Sequence, residues 1–459
     1  MQKENRLGVE NVKSLLFSLA IPAIIGQLVS LLYNMVDRMY IGHIPEIGGD
    51  ALTGVGVTAP LLIIISAFSA LIGIGGAPRA SIKMGEKDDE GAEKIMGNCF
   101  VSLIGISIIL TILFLIFNEK LLVLFGASEK TLPYALEYMQ IYTLGTIFVQ
   151  LAIGMNPFIS SQGFAKISMI TVSIGAIINI VLDPIFIYGL KMNVKGAALA
   201  TVISQAVSAV WIIYFLRGDK TNLKLKRKNL KLDWDIMKPV LLLGLSPFVM
   251  QITESFIIIA FNSNLQKYGG DVAVGTMTIL SAAMQFTFLP LSGLTQGAQP
   301  IMSYNYGAGK VERVKDTFKY LCISAVGYST LFWLVMMMAP QLFSKMFTND
   351  KAIIDMAAWG LRVYMAGAFA LGIQIACQQT FIALGNSKTS LFLALLRKVF
   401  LLIPLVLILP RIMSDKVFAV FLSEPISDII ASMVTGILFY KDFSSILKDI
   451  PNKLSYDSK

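Results

Sequence analysis

About twelve apolar runs, each long enough to cross a bilayer as a helix, constrain this chain more than any other feature of its sequence. About 20 consecutive apolar residues span the hydrocarbon core as an α-helix. Runs of that kind lie near residues 14–40, 52–77, 95–117, 134–156, 167–190, 194–216, 239–262, 274–299, 318–339, 356–382, 389–410 and 416–440. Backbone amides in hydrocarbon find no water, so such runs must close their own hydrogen bonds as helices. The expected fold class is therefore an all-α integral membrane protein. Composition agrees, with 55% hydrophobic and 15% charged residues, against about 25% charged in a soluble domain.

Several functions are excluded at this level. The net charge of +9 comes from short loops between apolar runs, which is not a nucleic-acid-binding pattern. Cys99, Cys322 and Cys377 fall inside apolar runs without metal-like spacing and read as small buried hydrophobes. His43 is the single histidine, which disfavours histidine-based metal or triad chemistry. The polar start lacks a small-residue cleavage site, so no removable signal peptide is expected. No phosphate loop of the GxxxxGK type occurs, so ATP hydrolysis is not expected, and secondary transport rather than enzymatic chemistry is the expectation.

Lysine and arginine concentrate in alternate loops, at 79–94, 217–238 and 310–319, with further cations at Arg6, Lys13, Lys441 and Lys448. By the positive-inside rule that side is cytoplasmic and both termini lie on it. The sequence divides into an N-lobe of six helices (1–216), a basic cytoplasmic linker (217–238), a C-lobe of six helices (239–441) and a cytoplasmic tail (442–459). The linker reads as a positive segment lying on anionic headgroups.

The halves repeat. A single offset of 222 residues pairs Gly75 with Gly297, Pro78 with Pro300, Ser81 with Ser303, Tyr142 with Tyr364, Gly145 with Gly367 and Gly163 with Gly385. A repeat of six spans is even, so both lobes enter from one side and are pseudo-symmetric about an axis along the membrane normal. That organisation suits alternating access.

Ionisable residues inside the runs are few: Asp37, Asp183, Glu254, Arg362, Arg397, Glu424 and Asp428. A charge at the bilayer centre costs at least about 2.5–3.5 kcal/mol and marks a site by default. Asn179 and Asp183 are four apart, hence on one helical face, and Pro184 frees a carbonyl beside the acid. With about 1.5 Å rise per residue, Asp37, Asn179, Asp183 and Thr201 share a depth in one lobe. Their oxygens form a hard site for a small cation, and the two acids can share a proton. Glu254 is a candidate secondary ion or substrate group, while Arg362, Arg397, Glu424 and Asp428 are expected to pair structurally. Gln27, Gln162, Gln285 and Gln378 are candidate cavity groups.

The chain resembles the multidrug and toxic compound extrusion (MATE) family, and within it the bacterial MepA-like branch. The resemblance rests on IPAIIGQLVSLLYNMVDRMYIG, NIVLDPIFIYG…KGAALAT, GIGGAPRASIKMGEKD, LTQGAQPIMSYNYGAG and IPLVLILP, and covers essentially the whole chain. It implies a two-lobed antiporter of a bacterial or archaeal cytoplasmic membrane, exporting organic, often cationic, drug-like compounds against inward H+ or Na+. It places the coupling ion, a metal if it is Na+, on Asp37, Asn179, Asp183 and Thr201. Some members pair an acid matching Glu254 with an aspartate in span ten, where this chain has Ile373 and Gln374, and this favours coupling through the first half. No cofactor beyond that ion is implied; membrane lipids and small organic substrates are the expected partners, nucleic acid is not, and a monomer is expected. The rival reading is a flippase for a lipid-linked or polysaccharide precursor, which would call for a basic cavity rather than this mostly acidic set.

Overall fold

The computed structural model describes residues 5–456, with side chains as far as Lys448; the first four residues and the last three of the expected 442–459 tail lie outside the described residues. Among the described residues all regular elements are helical. Among the described residues, nine helices are long and apolar enough to cross a membrane. One of them, Trp234–Gly307, is two helices broken at Gly270, where φ is 63°. Two further crossings are bent pairs, Leu132–Leu144 with Thr146–Ser160 at 61°, and Lys351–Tyr364 with Ala368–Ala383 at 47°. Counted this way there are twelve crossings, one for each apolar run. Most helices outlast their runs: Gly48–Gly85 has 38 residues and Asp89–Leu124 has 36, well beyond the ~20 that hydrocarbon requires. The last helix, Lys416–Tyr456, continues into the stretch expected as a separate tail.

The chain forms two compact units, residues 25–248 and residues 5–24 with 249–456. The first unit is centred on Ile41, Leu61, Ile65, Met139, Val149 and Ile187. The second is centred on Phe261, Leu265, Leu280, Leu361, Leu371 and Phe421. Division at the 217–238 linker would put residues 5–24 with the first half, whereas they pack with the second. Leu7, Leu15 and Leu16 are fully buried there. The carbonyl of Leu7 accepts from Asn305 Nδ2 (2.9 Å) and an Arg313 terminal nitrogen (3.0 Å), and that of Glu10 from the same nitrogen (2.8 Å). These carbonyls sit where the short helix Arg6–Val9 ends and the next begins. Helix ends leave such acceptors open, and buried ones need donors.

The repeat survives as geometry. Ser81 Oγ donates to the carbonyl of Ser161 at 3.2 Å, and Ser303 Oγ to that of Ala383 at 2.7 Å. Both members of each set are 222 residues apart. The two bent pairs are likewise interrupted at Gly145 and around Gly367.

Outward faces are apolar. Along Asp89–Leu124, Ile108, Ile109, Ile112, Leu113 and Ile116 are all exposed, an arrangement that only a lipid environment makes favourable over such a length. The linker is packed onto the protein. Leu223 and Leu225 are buried, Asp233 N donates to Asn98 Oδ1 (2.6 Å), and Lys226 pairs with the buried Glu93 (2.7 Å).

Candidate functional site

Within residues 25–248, four expected site residues come together. Asn179 and Asp183 lie on one face of Ala165–Pro184, and Asn179 Nδ2 donates both to Asp183 Oδ1 (3.3 Å) and to Thr201 Oγ1 (3.4 Å) on the neighbouring helix Asn193–Arg217. Asp37, on Val12–Gly42, places its carboxyl beside that of Asp183. Asp183 is fully buried, Asn179 nearly so and Thr201 largely so; Asp37 is half-buried as a residue.

The unsatisfied atoms are the informative ones. Asp37 Oδ1, Asn179 Oδ1 and Asp183 Oδ2 are enclosed and have no donor. Three buried acceptors facing no donor are each costly, by about 1–3 kcal/mol or more for charged groups. A proton or a small hard cation relieves them. The donor set, two carboxylates with an amide and a hydroxyl oxygen, fits an oxygen-seeking ion of low charge.

Local backbone irregularity builds this site. After Pro184 the helix widens into a π-helical turn, Ile185–Gly189. Such turns concentrate at functional positions because they redirect side chains and loosen carbonyls. Tyr188 in that turn donates to the carbonyl of Tyr40 at 2.6 Å, tying it to the helix that carries Asp37. Tyr138 lies beside Thr201 and Asp37 and stacks on Tyr142 at 6.0 Å. The sequence reading missed both tyrosines. Their signal was an aromatic four residues before the repeated Tyr142, and a hydroxyl just after the Asp-Pro step.

Other expected groups sit elsewhere. Gln162 does not open onto a cavity. Its Oε1 accepts from Thr221 Oγ1 (2.9 Å), Asn222 N (2.9 Å) and Leu223 N (2.8 Å), and its Nε2 donates to the carbonyl of Phe158 (2.8 Å), so it clamps the linker. Gln27 is half-buried and Gln285 exposed. Gln378 accepts from Gln374 Nε2 at 3.3 Å and donates toward Met250 Sδ at 3.5 Å, within the second unit.

Glu254 also lies in that unit and is paired with Lys398, a cation the sequence inventory overlooked beside Arg397. Arg397 pairs with Glu424 (3.1 Å) and Asp428 (2.7 Å), as expected of structural partners. Arg362 departs from that expectation: it is exposed, and its Nε donates to the carbonyl of Met337 at 3.0 Å.

Comparison with known proteins follows the same halves. The family model described as MatE matches residues 22–185 and 247–408, once in each half of the repeat. The chain belongs to the MatE family. It is 28% identical to the multidrug export protein MepA of Staphylococcus haemolyticus strain JCSC1435 over 418 residues, covering 90% of this chain and 91% of that one. It is 27% identical to MepA of Staphylococcus aureus strain N315, covering 91% and 92%. Among solved structures, the MATE multidrug transporter DinF-BH in complex with R6G aligns with a TM-score of 0.88 at 34% identity, covering 96% of this chain and 97% of that one. A MATE crystal structure in the bent conformation aligns with a TM-score of 0.91 at 23% identity, covering 98% and 100%, which speaks to the fold. As a MatE protein the chain is a multi-pass membrane transporter. Asp37, Asn179 and Asp183 fall inside the matched segments, and Thr201 lies beyond them.

Proposed function

We propose that this MatE protein is a secondary active multidrug efflux antiporter, exporting lipophilic organic cations in exchange for inward H+ or Na+ bound at Asp37, Asn179, Asp183 and Thr201. The carrying observation is the trio of enclosed acceptors, Asp37 Oδ1, Asn179 Oδ1 and Asp183 Oδ2, inside an apolar helix bundle. A bound ion or proton would satisfy these acceptors. Occupancy neutralises one buried charge and favours one lobe arrangement over the other. Similarity to MepA and to DinF-BH supports drug-like substrates.

The driving force is adequate. One charge crossing ~100 mV releases about 2.3 kcal/mol, enough for about fifty-fold accumulation. Binding and release suffice, with no covalent step. The protein acts as a monomer in the cytoplasmic membrane with both termini inside, a topology supported by the cationic loops at 79–94, 217–238 and 310–319. The flippase reading is less favoured, because the first unit's buried set is acidic and would repel a diphosphate.

The test is efflux of a fluorescent lipophilic cation by the full-length protein in vesicles. Proton and sodium gradients are imposed separately on wild type and Asp183→Asn. Export by wild type under one gradient and its loss in the variant is the expected result. A folded, inserted wild type that moves the dye under neither gradient would overturn the assignment.

A further inference from the structure

A second charged network lies in the unit of residues 5–24 and 249–456, apart from the four residues assigned to ion coupling. It comprises Arg397, Lys398, Glu424, Asp428 and Glu254. Arg397 and Lys398 stand on another π-helical turn, Leu396–Leu402, while Glu424 and Asp428 are one turn apart on Lys416–Tyr456. Asp428 is fully buried, Arg397 is 2% exposed, Glu424 4% and Lys398 7%.

Fully ionised, this network holds three carboxylates and two cations. Lys398 answers Glu254, leaving Arg397 with two acids. Asp428 Oδ1 accepts from Arg397 Nε at 2.8 Å and Glu424 Oε1 from its terminal nitrogen at 3.1 Å. The other Asp428 oxygen, Oδ2, is enclosed without any donor. The Arg397 guanidinium lies 5.3 Å from the centre of the Phe288 ring, so it is already desolvated. An excess buried charge costs several kcal/mol unless something neutralises it.

Among the described residues, only Arg397 and Lys398 pair with these acids. Of the helices packed on Lys416–Tyr456, Lys351–Tyr364 presents Tyr364, and Leu371–Ala383 carries no charged residue. Ile403–Ile412 has only Arg411, in its last turn. A hard metal ion takes about six oxygens, whereas one free enclosed acceptor is present here. A proton needs no more.

We propose that this network carries one exchangeable proton, shared between the Glu424 and Asp428 carboxyls. The step is a simple association: a proton adds to one of the two carboxylates, giving a neutral acid and leaving Arg397 balanced by one negative charge. This gives the second unit a proton site of its own, in addition to the site in the first.

Infrared spectroscopy of the full-length protein in lipid, carrying Asp37→Asn and Asp183→Asn to silence the first site, tests this at neutral pH, where exposed carboxyls are ionised. One carbonyl band of a protonated carboxylic acid is expected, shifting in heavy water. It disappears entirely on adding either Glu424→Gln or Asp428→Asn, because the remaining acid then pairs with Arg397 one to one. Both variants remove excess charge and are read separately, so either folded one suffices. A pH-dependent melting temperature that flattens in that variant is the second measure. Absence of the band, its survival in both variants, or its loss on exchanging potassium for sodium at constant pH would each overturn the proposal.

Discussion

Gly163 and Gly385 close the same turn in the two halves of the chain, with φ of 90° and 77°. In each case the next amide reaches back five residues, Phe164 N to Ile159 O at 3.3 Å and Asn386 N to Phe381 O at 2.8 Å. This is a Schellman ending, and its left-handed residue is best a glycine. Alanine at either position should therefore lower stability by about 1 kcal/mol or more. Thermal melts of Gly163→Ala and Gly385→Ala in detergent should fall by similar amounts. A neutral substitution at either position would break the equivalence.

The same comparison exposes a strained residue. Lys87 has φ of 64°, and its repeat mate 222 positions on is Gly309, with φ of 71°. Both turns carry the same reach-back bond, Asp88 N to Lys83 O and Lys310 N to Asn305 O, each 2.9 Å. A left-handed lysine costs about 1–2 kcal/mol, part of which glycine returns as unfolded-state entropy. Lys87→Gly should thus stabilise the protein by up to about 1 kcal/mol, while Gly309→Lys should destabilise it. A lower melting temperature for Lys87→Gly would count against the argument.

The Gln162 clamp makes a prediction about the linker. Its oxygen serves three donors of residues 221–223, so Gln162→Leu strands the backbone amides of Asn222 and Leu223, while the Thr221 hydroxyl keeps the Leu223 carbonyl at 3.0 Å. Each unmet buried group costs about 1–3 kcal/mol. Trypsin should then cut the linker near Lys220, Lys224 or Arg227 far faster than in wild type, in membranes open on that side. Gln162→Glu, which keeps the acceptor, should restore protection. Equal cutting rates in all three proteins would show the clamp to be unimportant.

Some of this was legible in the sequence and some was not, for physical reasons. Apolar length set the twelve crossings, since hydrocarbon admits little else. The i, i+4 spacing put Asn179 beside Asp183, and equal depth brought in Asp37 and Thr201. What could not be read was set by distant partners. Nothing local to Gln162 announces a linker some sixty residues away. Nothing in residues 5–24 announces Asn305 and Arg313. The π-helical turns at Ile185–Gly189 and Leu396–Leu402 reposition Tyr188, Arg397 and Lys398 in ways that a regular 3.6-residue period does not describe. Lys398 was within reach of sequence reasoning, because it directly follows Arg397 inside the same apolar run.

Docking of the chain's start supplies another test. Arg313 donates to the carbonyls of Leu7 and Glu10 and, through Nε, to Asn305 Oδ1 at 3.0 Å. Arg313→Ala removes all three bonds, two of them charge-assisted to backbone acceptors. A loss of about 2–4 kcal/mol is expected, at the net value of about 1.5–3 kcal/mol for a bond to a charged group with discount for partial solvation. Arg313→Lys should recover little, since an ammonium cannot present the same fork of donors. Hydrogen exchange at residues 5–12 reads this directly. Unchanged protection in Arg313→Ala would mean that burial of Leu7, Leu15 and Leu16 alone holds the segment.

The final prediction separates ion binding from mere packing at the first site. Asn179 Nδ2 is the shared donor to Asp183 Oδ1 and Thr201 Oγ1. Asn179→Ala leaves the Asp183 oxygen without its donor and removes the enclosed Asn179 Oδ1 acceptor altogether. At about 1–3 kcal/mol per lost group, and tenfold per about 1.4 kcal/mol, the half-activating concentration of the coupling ion should move tenfold or more. Thr201→Val loses one weaker bond and should move it only a few-fold. If the amide were interhelical glue alone, Asn179→Ala would lower the melting temperature yet leave the ion dependence of transport untouched. Measuring efflux against ion concentration in both variants therefore distinguishes the roles, and the order of the two shifts is the decisive observation.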